Sequence, residues 1–185
     1  MEHEILVDLR KRMDGAIHSL RHSLNGLRTG RASAALLDPI RVEAYGAIMP
    51  LNQVATVNVP EPQMITVQVW DASVTNFVTK AINEAGLGLN PIAEGQVIRI
   101  PIPQLSEERR KELSKKAHEY GENSKISIRN IRRDGMDAFK KLEKDKLISE
   151  DQLHSESEHI QKLTDSFVDT VDEVVKEKQK EIMSI

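Results

Sequence analysis

The 185-residue chain contains no cysteine. Disulfides, thiolate zinc sites, iron–sulfur clusters and a cysteine nucleophile are therefore excluded, and a cytoplasmic location is expected. Aromatic residues make up only 3% of the chain, whereas charged residues make up 30%. This composition favours long, solvated helices over the aromatic-rich core of a sandwich or barrel. The first residues are acidic, unlike a signal peptide, and no apolar run approaches the roughly 20 residues that span a bilayer, so we expect no membrane association.

Proline is absent from both ends of the chain, since all seven prolines lie between Pro39 and Pro103. Residues 30–103 also carry only four basic and six acidic side chains. Proline interrupts helices, and charge suits the solvated faces of helices. We therefore predict helical flanks around a middle region of strands and turns.

The predicted organisation is a discontinuous domain, residues 1–29 plus 104–185, with an inserted domain of residues 30–103. The chain crosses between the two domains twice, near residues 29–31 and 101–105. Two crossings limit free tumbling but allow bending about one axis, so we predict a hinge. The expected hinge residues are Gly30, Pro101 and Pro103.

Apolar side chains in the flanks recur every three or four residues, the period of an amphipathic helix. Two glutamates follow Ser106, and Ser149 with Gln152 has the capping-box form, so both serines are predicted N-caps. No helix can bury its stripe alone, which predicts an elongated three-helix bundle. Two glycines in the second helix, Gly121 and Gly135, indicate close packing between helices. The three stripes are Ile5, Leu9, Met13, Ala16, Leu20, Leu24 and Leu27; Leu113, Ala117, Tyr120, Ser124, Ile128, Ile131, Gly135, Ala138 and Leu142; and Leu153, Ile160, Leu163, Phe167, Val171, Val174 and Ile182.

Four segments of the insertion are predicted to be strands, because most of them alternate apolar and polar residues. Before the last of them, Ser73 is a predicted N-cap for a short helix that ends at Gly86. These elements, beside the helical flanks, predict the α+β class: a discontinuous three-helix bundle with a small inserted β/α/β domain. The predicted strands are Ile40–Tyr45, Val54–Val59, Ile65–Val69 and Val97–Ile102.

Motifs of the common catalytic sites are absent from the sequence. It contains no phosphate-binding loop, no nucleophile elbow and no zinc-binding His-Glu-x-x-His helix. Gly86 and Gly88 lack the third glycine of a dinucleotide site. His18 and His22 have the spacing of two metal ligands, but no third ligand can be identified, and a polar helix face explains both. We therefore predict no catalytic residue, no metal and no cofactor.

Charge is distributed unevenly along the chain. Residues 109–146 contain 13 basic and seven acidic residues inside a chain whose net charge is −3. At 100° per residue, Arg129, Arg132 and Arg133 share one exposed sector with Lys125 and Lys140. The planar guanidinium matches phosphate oxygens, so the arginines favour contact with an RNA backbone. The alternative is that these charges only keep a long helix soluble.

Five motifs in order give the chain a resemblance to the bacterial ribosome recycling factor family. The similarity covers essentially the whole chain, and several separate motifs in order are more specific than any single motif. It implies an L-shaped, tRNA-like molecule with a flexible linker between the two domains. The motifs are Arg28–Ser33, Leu87–Pro91, Gln104–Lys111, Ile128–Asp134 and Asp145–Asp151.

The resemblance also implies a function. Such factors enter the ribosome after peptide release and lie across the A and P sites of the large subunit. Together with elongation factor G, which hydrolyses GTP, they separate the subunits so that mRNA and deacylated tRNA leave. The factor itself is not an enzyme and is expected to be a monomer.

Residue roles follow from matching the motifs. Arg132 is expected to be exposed and to contact large-subunit rRNA near the peptidyl-transferase region, supported by Arg28, Arg31, Arg129 and Arg133. The hinge at Gly30 and Pro103 would transmit force from elongation factor G.

One departure from the family pattern is Ala44 before Tyr45, where relatives often carry two aromatic residues, and it concerns only local packing. An alternative function from another class is an α-helical adaptor or chaperone that binds protein partners in the grooves of its bundle. An enzyme is a more distant third reading, because no site is recognisable.

Overall fold

The computed structural model describes residues 3–184 and contains both helices and antiparallel sheets, so the α+β class is confirmed. None of the helices in this range is both long and apolar enough to cross a membrane. In chain order the helices are α1 (Glu4–Asn25), α2 (Thr75–Glu84), α3 (Glu107–Lys144) and α4 (Glu150–Met183), and the strands are β1 (Arg41–Ala44), β2 (Ala47–Pro50), β3 (Ala55–Glu61), β4 (Met64–Val69), β5 (Ile92–Glu94) and β6 (Val97–Pro101).

The described residues divide into two compact units. The chain up to Arg28 forms the bundle unit together with Glu107–Ser184, and Thr29–Ser106 forms the inserted unit. This division differs from the predicted one at residue 29 and at residues 104–106. Local contacts explain the difference: Gly30 lies against Leu105, and the Gln104 amide donates a hydrogen bond of 3.2 Å to Gln63.

The bundle unit consists of α1, α3 and α4, and every pair of these helices is in contact. The capping box predicted for α4 is confirmed. The Ser149 hydroxyl accepts from the backbone N–H of Gln152 at 3.1 Å, and the side-chain Oε1 of Gln152 accepts from the backbone N–H of Ser149 at 2.8 Å. α1 begins after His3, whose Nδ1 accepts from Ile5 N at 3.2 Å. These caps satisfy amides that the first turn of a helix leaves without partners.

The buried stripe of α1 is rotated around the helix relative to the predicted stripe. Leu6 and Ile17 are buried, whereas their predicted neighbours Ile5 and Ala16 are only partly buried. The reason is that α1 contacts both α3 and α4, so the positions of two neighbouring helices set its buried face, and the sequence of α1 alone does not give them. The buried hydrophobic residues of the bundle are Leu6, Leu9, Met13, Ile17, Leu20, Leu24, Leu113, Ala117, Ile128, Ile131, Phe139, Ile160, Val171, Val174, Val175 and Ile182.

Close packing at Gly121 and Gly135 is confirmed. A Cβ atom at Gly121 would lie 2.6 Å from Val175 Cγ2 of α4. One at Gly135 would collide with Leu9 of α1 and lie 3.2 Å from Ile160 Cδ1 of α4. The two glycines therefore let α3 approach both neighbouring helices, a gain that offsets the cost of roughly 1 kcal/mol that each imposes on the helix.

The inserted unit contains two antiparallel sheets. One is the hairpin of β1 and β2, and the other has the strand order β3-β4-β6-β5. All four predicted strand segments are present, but β2 and β5 were missed because neither alternates apolar and polar residues. The unit is built around a core formed by Leu37, Ile40, Val42, Ala44, Leu51, Val54, Ala55, Ile65, Val67, Val69, Val74, Val78, Ile82, Ile98, Ile100 and Ile102.

The prediction that Ser73 caps the helix of the inserted unit is wrong. α2 begins after Val74, which forms no side-chain cap bond. Asp71 instead caps the preceding 3-10 turn, Ala72–Val74, where its carboxylate accepts from Ser73 N at 2.9 Å. The same carboxylate accepts a hydrogen bond of 2.7 Å from the Tyr45 hydroxyl. Tyr45 occupies the turn between β1 and β2 with a φ of 53°, so Asp71 ties this hairpin to the start of the helix.

Candidate RNA interface

The middle of α3 carries three arginines, Arg129, Arg132 and Arg133, which we call the arginine face. Ile128 and Ile131 on the same turns are buried in the bundle. The helical period then places Arg129 and Arg133, four residues apart, on the same outer side of α3. Both are exposed, and neither forms a side-chain hydrogen bond or ion pair with any residue from 3 to 184.

Asp134 is the acid that follows Arg133 in the sequence, but it is paired with another helix. Its carboxylate accepts a hydrogen bond of 2.5 Å from the Arg12 guanidinium of α1. Arg12 also lies 4.0 Å from Asp8. Arg133 and Asp134 form no ion pair, because adjacent residues of a helix point in different directions. The positive charge of the arginine face is therefore less compensated than the sequence indicates.

Arg132 is only partly exposed, which corrects the expectation of an exposed side chain. Its Nε donates to Gln161 Oε1 of α4 at 2.9 Å, and Gln161 Nε2 in turn donates to Asp165 Oδ1 at 2.8 Å. Sequence reasoning missed Gln161 and Asp165. The only local signal was their i,i+4 spacing, which allows a Gln–Asp hydrogen bond along one helix but says nothing of a contact with α3.

Lys125 does not belong to the exposed sector in which the helical wheel placed it. Its side chain is 15% exposed and its Nζ lies 2.6 Å from Asp172 of α4 and 3.2 Å from Glu122. The hydrogen bond with Asp172 raises the pKa of Lys125, an effect that burial partly opposes. A wheel gives angles around one helix but not the arc that a neighbouring helix covers, so it could not identify this ion pair. Lys140, by contrast, is exposed.

The first junction contains the two remaining arginines. Arg28 lies in the bundle unit and Arg31 in the inserted unit, and both are exposed. Gly30 has a φ of +74°, a conformation that favours glycine, and a Cβ added there would lie 2.9 Å from Leu105 Cγ.

The second junction follows β6. Pro101 is the last residue of this strand and lies opposite Met64, so it belongs to the sheet. Ile102 N donates to Gln63 O at 2.8 Å, which extends the pairing by one residue. Pro103 lies beyond these contacts and is exposed. Of the three predicted hinge residues, Pro101 is thus held by the sheet of the inserted unit.

The candidates for metal binding among residues 3–184 are the histidines and the acidic side chains. In that range no group of three or more His, Asp or Glu side chains is arranged to hold a metal ion. His18 and His22 are exposed on α1. Arg129 and Arg133, which are exposed and form no ion pair with residues 3–184, are suited to contact an anionic surface.

Comparison with known proteins identifies the family. Residues 20–183 match the protein-family model of the ribosome recycling factor. The ribosome-recycling factor of Brucella ovis is 55% identical over 178 residues, which are 96% of this chain and 96% of that protein. The factor of Sinorhizobium fredii is 54% identical over 180 residues, 97% of each.

Solved structures agree with this match. A solution structure of the ribosome recycling factor is 40% identical, covers 100% of both chains and superposes with a TM-score of 0.69. A second structure comprises models of the T. thermophilus ribosome recycling factor and the E. coli elongation factor G bound to the E. coli post-termination complex. Its matching chain is 44% identical over 97% of both chains, with a TM-score of 0.60. The chain described here therefore belongs to the ribosome recycling factor family.

Proposed function

We propose that this protein is a translation factor of the cytoplasm that binds the post-termination ribosome. With elongation factor G, and with GTP hydrolysis by that partner, it separates the subunits so that mRNA and deacylated tRNA leave. Family membership supports the role, and so does the 44% identical relative bound with elongation factor G to a post-termination complex. The protein itself catalyses no reaction in this proposal.

The observation that carries the proposal is the arginine face. Arg129 and Arg133 are exposed without an ionic partner among the described residues, although the chain as a whole is acidic. Guanidinium groups bind phosphate oxygens through paired hydrogen bonds, so a row of them along a helix fits a folded RNA backbone. In this proposal the arginine face binds large-subunit rRNA, with Arg132 central and Arg28 and Arg31 contributing from the first junction.

The mechanical part of the proposal depends on α3. Its 38 residues extend about 57 Å at 1.5 Å per residue, and it is in contact with both other helices of the bundle. A braced helix of this length resists bending. Anchored to one subunit by its arginines, it can transmit a force that elongation factor G applies to the inserted unit through a hinge near Gly30 and Pro103.

A recycling assay tests the proposal. Purified protein, elongation factor G and GTP are added to post-termination complexes, and subunit formation is followed by light scattering and sucrose-gradient sedimentation. We expect splitting only with all three components. Absence of splitting by an intact, folded sample would contradict the proposed function.

Binding is tested separately by cosedimentation with large subunits at several salt concentrations. Arg132→Ala should weaken binding. It should also make the fall of log affinity with log salt concentration less steep, by about one released counterion. Lys176→Ala removes an exposed cation of the acidic α4 and serves as the matched control. Wild-type affinity in Arg132→Ala would contradict the RNA face, and failure of the protein to pellet with large subunits would favour an adaptor or chaperone.

A further inference from the structure

Arg132 differs from the other two members of the arginine face in being attached to a second helix. Its Nε donates a hydrogen bond of 2.9 Å to Gln161 Oε1, 29 residues away on α4. Its terminal nitrogens, Nη1 and Nη2, bond to no residue between 3 and 184. One edge of the guanidinium is thus held by the protein, while the pair of nitrogens that matches a phosphate remains available.

The orientation of the Gln161 amide follows from its second partner. Gln161 Nε2 donates to Asp165 Oδ1 at 2.8 Å, one helical turn along α4. A flipped amide would set its NH2 group against the guanidinium and its oxygen against the carboxylate, so both hydrogen bonds would be lost. Asp165 therefore keeps the accepting oxygen of Gln161 towards Arg132.

A neutral acceptor has a specific advantage at this position. A carboxylate at residue 161 would form an ion pair with Arg132 and cancel the charge that attracts RNA. Glutamine instead fixes the plane of the guanidinium without placing a carboxylate in direct contact with it. The conformational freedom that a long side chain loses on binding is then largely removed before RNA arrives.

We infer that Gln161 is a positioning residue: it preorganises Arg132 to take a phosphate of large-subunit rRNA on Nη1 and Nη2, and Asp165 orients Gln161 for this task. The inference rests on the proposed function, because it assumes that the arginine face binds rRNA. It adds a residue of α4 to a binding face that otherwise belongs to α3.

The test compares Gln161→Ala, Arg132→Ala and the double variant by their affinity for purified large subunits across a range of salt concentrations. Gln161→Ala should weaken binding about 2- to 10-fold, the cost of immobilising one long side chain. It should leave the salt slope unchanged, because the charge of Arg132 remains. Arg132→Ala should lower both affinity and slope, and the double variant should bind no more weakly than Arg132→Ala alone.

Gln179 provides a matched control. It is another glutamine of α4 that contacts α3, because its Nε2 donates a hydrogen bond of 3.1 Å to the Ser114 carbonyl. That hydrogen bond involves no arginine. Gln179→Ala should keep wild-type affinity. If it weakens binding as much as Gln161→Ala, loss of any bond between α3 and α4 would explain the result and the inference would be wrong.

Gln161→Glu gives a second readout that does not depend on truncation. The new carboxylate should pair with Arg132 and lower the salt slope by about one counterion. An unchanged slope would contradict the contact.

The outcomes separate this inference from the proposed function. Wild-type affinity in Gln161→Ala together with weak binding in Arg132→Ala would overturn only the role of Gln161. Additive losses in the double variant would do the same. Wild-type affinity in Arg132→Ala would instead overturn the RNA face itself.

Discussion

Lys125 Nζ on α3 lies 2.6 Å from Asp172 Oδ1 on α4, although Lys125 and Arg129 are separated by a single turn of the same helix. The lysine stem is buried against the bundle, whereas Arg129 is exposed. Two cations that are equivalent in the sequence thus have different roles. Lys125 holds the helices together, and Arg129 is free to meet a partner outside the bundle.

This difference predicts opposite effects of two glutamine substitutions. Lys125→Gln should lower the free energy of unfolding by about 1 kcal/mol, since the ion pair is partly buried, and should leave large-subunit affinity and its salt slope unchanged. Arg129→Gln should leave stability within about 0.5 kcal/mol and reduce affinity and slope. Urea denaturation and cosedimentation measure the two quantities. A fall in the salt slope of Lys125→Gln would show that its charge does face RNA.

The hydrogen bond between Tyr45 and Asp71 predicts that the stability of the inserted unit depends on pH. The Tyr45 hydroxyl, followed by Ser73, lowers the pKa of the Asp71 carboxyl. A lowered pKa in the folded state means that Asp71 contributes stability above its ordinary pKa of about 3.9 and loses it as the pH falls through the folded value. Tyr45→Phe should therefore move the pKa of Asp71 up towards its ordinary value.

The measurement is an NMR titration of the Asp71 carboxyl carbon in the full chain. Tyr120→Phe is the control, because Tyr120 lies on α3 in the other unit and should leave the titration of Asp71 unchanged. Identical titration curves for wild type and Tyr45→Phe would exclude the hydrogen bond as the main cause of the lowered pKa.

Replacement of glycine by alanine should change the stability in opposite directions at Gly121 and Gly15. A Cβ at Gly121 would meet Val175 Cγ2 at 2.6 Å, so Gly121→Ala should destabilise the protein by about 1–3 kcal/mol through overpacking. Gly15 lies inside α1 with nothing within 4 Å of the added atom. Gly15→Ala should therefore stabilise the protein by about 0.5–1 kcal/mol. Chemical denaturation of both variants decides the point, and a stabilised Gly121→Ala would mean that α3 and α4 separate at little cost.

Gly30→Ala tests the proposed hinge. The added Cβ would lie 2.9 Å from Leu105 Cγ, at a φ of +74° that also strains a side chain. We expect subunit splitting to fall more than large-subunit binding. Proline is not a suitable probe, because its φ is fixed near −65° and would disrupt this conformation.

Two controls separate the contact from the strain. Gly95→Ala places alanine at a φ of +64° with nothing within 4 Å, so it carries the strain without the contact. Combining Gly30→Ala with Leu105→Ala should restore part of the lost splitting by removing the atoms that collide. Equal losses of binding and splitting in Gly30→Ala would argue against a hinge role.

Much of the secondary structure could be predicted from the sequence. The long stripes of α3 and α4 repeat the helical period many times, and the capping box at Ser149 and Gln152 marks a helix start within four residues. The strands that were missed are short. β5 has three residues, and β2 follows a two-residue turn at Tyr45 and Gly46, both with positive φ.

The cap before the helix of the inserted unit is a second feature that the sequence did not predict correctly. Asp71 and Ser73 are both good N-cap residues and lie two positions apart. Local preference does not choose between them. The Tyr45 hydroxyl donates a hydrogen bond to Asp71 from the β1–β2 hairpin. Such a contact between residues far apart in the chain cannot be predicted from a local sequence pattern.

The sequence by itself determined where the helices lie, which faces are apolar and where positive charge accumulates, because these properties depend on residues within one or two helical turns. Tertiary structure alone decided which cations bind partners within the protein and which are left to bind a partner outside it. Gln161 holds Arg132, Asp172 pairs with Lys125 and Arg12 occupies Asp134. Each partner comes from another helix, and only the packing of α3 against α1 and α4 brings it within hydrogen-bond distance.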